Sequence, residues 1–179
     1  MQFVILGLLL GGPLSLYDLQ KRFAASISLF YSASSGSIQR ALQQLVADGA
    51  VTVADADSGR RGRKVYRIAD SGRARWREWM LARIPSGTDA ETTVLAKVFL
   101  LGRLEAAADR GAVVDGIRRH VGGARETLAS LAADVDARAA DLNEEERALY
   151  VYQRATLDYG LRAHALLAEW IDEVGELHP

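Results

Sequence analysis

Residues 34–77 constrain what this chain can fold into more than any other stretch. Ser34-Ser35-Gly36-Ser37 offers hydroxyls to the free N–H groups that open a helix. Ile38, Ala41, Leu42, Leu45 and Val46 then recur at helical spacing, and Asp48-Gly49 stops the run. Val51-Thr52-Val53 and Val65-Tyr66-Arg67-Ile68 are β-branched and aromatic, which predicts two paired strands. Between them, four of the five residues from Arg60 to Lys64 are basic, with Gly59 and Gly62 free to turn tightly. The order is helix, strand, basic hairpin, strand.

That order is the second half of a winged helix, which lays a helix in a DNA groove and a basic hairpin on the phosphates. The polar face of the helix over 35–47 holds Gly36, Ser37, Gln39, Arg40, Gln43 and Gln44 and no carboxylate. A solvent-facing helix normally mixes both charge signs, so this face suits phosphates and base edges; a plain polar surface is the alternative. The overall charge of −1 hides a division. Residues 1–80 hold 11 Lys and Arg against 6 Asp and Glu, and residues 81–179 hold 11 against 17. A basic front and an acidic rear suggest that only the front meets a polyanion.

Around this core the chain reads as mainly α. The apolar run from Phe3 to Leu10 predicts a first helix, Gln2 to Leu10, stopped by Gly11-Gly12-Pro13. A signal peptide is the other reading of that run, but it lacks a basic start and a cleavage site and is too short to span a membrane. A buried helix and a cytoplasmic location follow as the expectation. Ser15 caps a second helix, Leu16 to about Ala25, with Asp18 placed to close the cap. The segment 26–33 is too apolar for an ordinary solvent loop. A helix from Asp70 or Ser71 to about Arg83 carries Trp76 and Trp79 on one face, either as packing or as the wall of a ligand pocket. Ile84-Pro85-Ser86-Gly87 ends it and suggests two domains, 1–84 and 88–179.

The rear reads as helices over 91–104, 112–141 and 144–174. In the second, Ile117, Val121, Ala124, Leu128, Leu131 and Val135 step as a heptad seam, which Gly122-Gly123 weakens. In the last, Tyr150, Tyr152, Leu157, Tyr159, Leu161, Leu166, Leu167, Trp170 and Ile171 cover more than one face. That helix should touch two neighbours, its own long helix and a second chain.

Several classes are excluded or unsupported. Without cysteine there is no disulfide and no thiolate metal site. His120, His164 and His178 lack metal-ligand spacing, and no nucleophile-elbow, phosphate-loop or dinucleotide fingerprint appears. Glu144-Glu145-Glu146 opens a helix, where negative charge favours the macrodipole. No metal, cofactor or membrane partner is expected, and no polar constellation supports an enzyme.

At the level of motifs, Ile5-Leu6-Gly7-Leu8-Leu9, Pro13 and Leu16-Tyr17-Asp18-Leu19 resemble the opening of the PadR family of transcriptional regulators. The similarity continues through Ser35-Gly36-Ser37-Ile38, Ala41-Leu42, Leu45, Asp48-Gly49-Ala50-Val51, Gly62-Arg63-Lys64-Val65-Tyr66-Arg67-Ile68, Ser71-Gly72-Arg73 and Trp79. Thr156-Leu157-Asp158-Tyr159-Gly160 and Ala168-Glu169-Trp170-Ile171-Asp172-Glu173 resemble the last helix of its longer subfamily. The chain departs at Gln39-Arg40, where the family usually has tyrosine and often proline, at Leu16, where glycine is common, and at Phe30-Tyr31, in place of Phe-Trp. Those departures bear on the operator rather than the fold.

The resemblance implies an N-terminal winged helix-turn-helix and a C-terminal all-helical dimerisation domain. It implies a homodimer on double-stranded DNA, with a palindromic operator, and often repression relieved by a small aromatic effector. Carried onto this chain, Ser37, Gln39, Arg40 and Gln43 are candidates for base edges. Arg60, Arg61, Arg63 and Lys64 are candidates for phosphates or the minor groove, with Ser35, Tyr17 and Lys21 adding backbone contacts. Ile117, Val121, Leu128, Leu131, Val135, Leu157 and Leu161 are candidates for the dimer. Trp76, Trp79, Tyr152, Tyr159, His164 and Trp170 are candidates for an effector site, with core packing as the plainer role of each. A winged-helix dimer that binds only protein is the rival class.

Overall fold

The computed structural model describes residues 1–56 and 63–177. The chain groups into two compact units, Met1–Val113 and Val114–Pro179. The turn at 84–88 falls inside the first unit, because the helix that follows it packs on the first helix of the chain.

In the first unit, helix α1 (Gln2–Leu9) buries Val4 through Leu9 in succession. A helix apolar on every side is a core element, and its neighbours come close: a Cβ on Gly7 would sit 2.6 Å from a Leu100 methyl. Gly12, with φ of +126°, turns the chain out of α1. Strand β1 is only Leu14–Ser15 and has no signal of its own in the sequence. Helix α2 (Leu16–Ala25) opens on a capping box: Ser15 Oγ accepts from the Asp18 N–H at 3.2 Å, and the Ser15 N–H donates to the Asp18 carboxylate at 3.0 Å. The apolar segment after it folds as a 3₁₀ turn, Ile27–Leu29, with Ile27 fully buried.

Helix α3 (Ser35–Ala47) starts where Ser34 caps the Ser37 N–H and buries Ile38, Leu42 and Leu45. Gly49, at φ +69°, releases the chain into β2 (Val51–Ala56), which pairs antiparallel with β3 (Arg63–Ile68) in the register Val51↔Ile68. The sheet order is β1-β3-β2, with Leu14 opposite Tyr66. Helix α4 (Asp70–Leu81) packs against this frame so closely that a Cβ on Gly72 would lie 2.2 Å from the Ala50 carbonyl oxygen. It ends two residues earlier than the sequence suggests, at an extended Ala82. Helix α5 (Ala90–Leu100) passes into a 3₁₀ turn, Leu101–Arg103, where the sequence suggests continuous helix to Leu104.

Helix α6 (Ala107–Arg138) begins five residues before the expected start, runs through Gly122-Gly123 without interruption and closes in a 3₁₀ turn, Ala139–Asp141. The border between units falls within it. Helix α7 (Glu144–Glu176) opens on an Asn143–Glu146 capping box. In the second unit the two run antiparallel. Arg154 and Tyr150 bond Asp136 at 2.7 and 2.8 Å, Gly160 faces Leu128, and Arg118 bonds Asp172 at 2.7 Å. Among the described residues no helix is long and apolar enough to cross a membrane.

The long seam departs from the heptad. Leu131 is 48% exposed and its neighbour Ala132 only 7%. A straight α-helix drifts about 20° per heptad against a seven-residue repeat, so by the third heptad from Ile117 the buried place on α6 has passed from Leu131 to Ala132. Helix α7 has two apolar faces. One turns Tyr150, Arg154, Leu157, His164, Ile171 and Val174 inward. The other leaves Leu149, Tyr152, Tyr159 and Leu166 exposed.

Candidate nucleic-acid interface

Helices α2 and α3 form the helix-turn-helix pair. The Gln20 amide of α2 donates to the Ser35 hydroxyl at the start of α3, tying the entry of the second helix to the body of the first. With Ile38, Leu42 and Leu45 buried, helical spacing turns Gln39, Arg40, Gln43 and Gln44 outward, and all four are exposed. Ser37 is half-buried, and its hydroxyl is folded back onto the Ser34 carbonyl at 2.7 Å. Its N–H and hydroxyl both serve the cap, which limits what is left for a base. Gln44 is likewise engaged: its amide donates to Asp48 at 2.7 Å, and Arg75 holds the other oxygen of that carboxylate at 3.0 Å. These bonds hold the Asp48 carboxyl below its ordinary pKa, the Gln44 bond being the larger cause. The charge at the end of α3 is thereby absorbed before it reaches the open face.

Tyr17 is 69% exposed at the start of α2 and shares a groove with Leu16, Gln20, Tyr66 and Lys64. The sheet explains this meeting. β1 pairs with β3, so the residue after the N-cap of α2 is held beside the hairpin strand that carries Lys64. Lys21 and Ser35 are exposed on their own helices. Arg60 and Arg61 lie outside the described residues. Arg63 begins β3, and its side chain lies outside them too.

In the second unit, Ile117 and Val121 are fully buried within the chain itself. Leu128, Val135, Leu157 and Leu161 are half-buried, and Leu131 is exposed. His164 turns Nδ1 to its own helix, 2.9 Å from the Gly160 carbonyl. It faces His120, whose pKa is lowered by burial and then by His164. Tyr152 and Tyr159 lie on the opposite, exposed face of α7, and Trp170 is half-buried. In the first unit, Trp76 is a core residue with its indole N–H unpartnered. Trp79 instead lines a cleft of about 450 Å³ with Phe3, Phe30, Tyr31 and Asp89. Trp76 and Trp79 are three residues apart, yet only one reaches this cleft.

Two features escaped the sequence reading. The cleft joins Phe3, Phe30 and Trp79, too far apart in sequence for any local pattern to link them. Lys97 is 2% exposed, with Nζ over the Trp79 ring and donating to the Ala82 carbonyl. Its signal was visible, a single lysine within the apolar run Val94 to Leu101. Burial lowers its pKa to about 8.

Residues 5–78 match the Transcriptional regulator PadR-like family, and residues 93–178 match the Virulence activator alpha C-term family. The chain is 28% identical over 105 residues to the Negative transcriptional regulator PadR of Bacillus subtilis, which covers 58% of each chain. It thus spans a little over half the length of that relative. It is 29% identical over 178 residues to the Probable transcriptional regulator Rv1176c of Mycobacterium tuberculosis, over 89% of this chain and 87% of that one. Among solved structures it is similar to Bacillus subtilis PadR in complex with operator DNA (TM-score 0.46, 20% identity, 97% of this chain and 96% of that one). The Vibrio cholerae virulence activator AphA is similar at TM-score 0.41 and 24% identity, over 97% and 94%.

Proposed function

The chain belongs to the PadR-like family of DNA-binding transcriptional regulators, and from that premise we propose that it is a homodimeric repressor of a palindromic operator, released by a small aromatic effector. The open face of α3 carries the reading. Gln39, Arg40 and Gln43 stand exposed and carboxylate-free on the element that a winged helix lays in the major groove. Arg40 and the glutamines have the donor geometry for guanine and adenine, with Ser37 at the helix start beside them. Tyr17, Lys21, Ser35 and Lys64 take backbone phosphates, joined by Arg60, Arg61 and Arg63 of the hairpin. Repression follows the named role of the Bacillus subtilis relative.

The dimer uses the outer face of α7. Leu149, Tyr152, Thr156, Tyr159, Ala163, Leu166 and Trp170 step by three and four along it, and Leu149, Tyr152, Tyr159 and Leu166 are exposed. Leu131 on α6 joins them, whereas Ile117 and Val121 belong to the interior of one chain. Two α3 helices then enter successive major grooves about 34 Å apart. A gel shift with the DNA upstream of its own coding sequence tests this. A salt-sensitive shift that random DNA competes poorly is expected. A protein that shifts no DNA at any salt would be a winged-helix dimer with a protein partner instead.

A further inference from the structure

The cleft of the first unit concentrates four aromatic residues around one carboxylate. Phe3 and Trp79 stack with centroids 4.9 Å apart and planes 5° from parallel. Each ring also carries a cation, Arg75 over Phe3 at 5.7 Å and Lys97 over Trp79 at 5.6 Å. The pair is therefore a fixed wall. Phe30, braced by Phe99 at 5.7 Å, and Tyr31 form the facing side. A volume of about 450 Å³ suits a one-ring or two-ring molecule.

The charges in and behind the cleft are not equally available. The Met1 amine donates to the Tyr31 hydroxyl at 2.8 Å, and burial lowers its pKa. Lys97 is turned inward to the Ala82 carbonyl. Asp89 is different. It stands at the N-cap of α5, where an aspartate ordinarily folds its carboxylate onto the helix N–H groups. Here its φ and ψ are −91° and 1°, outside the usual capping region, and the side chain makes no cap bond. Among the described residues its carboxylate makes no hydrogen bond or ion pair, although its charge reaches the Met1 amine and the Tyr31 hydroxyl. An exposed carboxylate at the rim of an aromatic cleft, held by no bond of its own, recognises a positive charge attached to a ring, in competition here with the Met1 amine.

We propose that this cleft binds an arylalkylamine, its ring between the Phe3–Trp79 wall and Phe30–Tyr31 and its ammonium on Asp89. The proposal rests on the effector part of the function above and gives that effector a charge class.

Three probes of one shape and different charge test it on the full chain by calorimetry: tyramine, 4-ethylphenol and 4-hydroxyphenylacetate. Tyramine should bind about fivefold more tightly than 4-ethylphenol, and 4-hydroxyphenylacetate most weakly, the scale of one partly exposed ion pair. Asp89→Asn keeps an equally good N-cap residue. It should remove the tyramine advantage and leave 4-ethylphenol unchanged. Equal affinities, a preference for the anion, no binding by any probe, or a tyramine advantage that survives in Asp89→Asn would each overturn the proposal. Operator binding measured on the same sample separates the two readings. Retained DNA binding with no probe binding sinks the ligand alone, and ordered probe binding without DNA binding sinks the regulator alone.

Discussion

Helices α3 and α7 each bury one face within their own unit and leave the other open, and the open faces differ in kind. α3 buries Ile38, Leu42 and Leu45 and exposes Gln39, Arg40 and Gln43. α7 buries Ile171 and Val174 and exposes Leu149, Tyr152, Tyr159 and Leu166. The buried faces say only that both helices belong to a core. The proposed partners rest on the open faces, because a carboxylate-free polar face gains from a polyanion and an apolar stripe gains from a second copy of itself.

The largest test of this contrast strikes α7. Leu166→Glu places a charge on the apolar stripe, remote from α3 in sequence. It should shift sedimentation from dimer to monomer and lower operator affinity by on the order of 10²-fold or more, the loss expected when two linked half-sites become independent. A monomer that keeps full operator affinity would break the link between the two faces. Next in size, Arg40→Ala should cost ~1–3 kcal/mol on the operator and relax its specificity. Fluorescence anisotropy on operator and random DNA reads both, and equal losses on the two would reduce Arg40 to a phosphate anchor. Smaller still, Lys64→Ala should weaken all sequences alike and lower the salt slope by about one. An unchanged slope removes Lys64 from the phosphates.

A last substitution touches neither face. Burial lowers the pKa of Lys97 from 10.5 in the unfolded chain to about 8 in the fold. The unfolded chain therefore binds more protons between those values, and stability rises with pH across that window. Lys97→Met should flatten the rise in chemical denaturation while leaving dimer and operator constants unchanged. A shift in operator affinity would tie this buried amine to the binding face.

Much of this contrast was legible in the sequence, and the reasons for success and failure are physical. The bounds of α2 and α3 follow from local chemistry: Ser15 with Asp18, Ser34 with Ser37, and Asp48-Gly49. The two faces of α7 follow from its apolar residues outnumbering one stripe. β1 was invisible because two residues hold their strand only through pairing with β3. Leu131 is exposed rather than packed within its own unit because a helix turns at 3.6 residues while a seam counted in heptads steps at 3.5, and Ala132 takes the buried place. The cleft could not be read because Phe3, Phe30, Trp79 and Asp89 meet only after folding. The hairpin arginines Arg60 and Arg61 remain a reading of sequence alone.

The most direct measurement is a stoichiometric titration of the chain against a duplex from its own upstream region, followed by anisotropy at several salt concentrations. The predicted result is a plateau at two chains per duplex, with affinity falling steeply as salt rises. One chain per duplex, or binding indifferent to salt, would contradict the assignment of one open face to DNA and the other to a second copy.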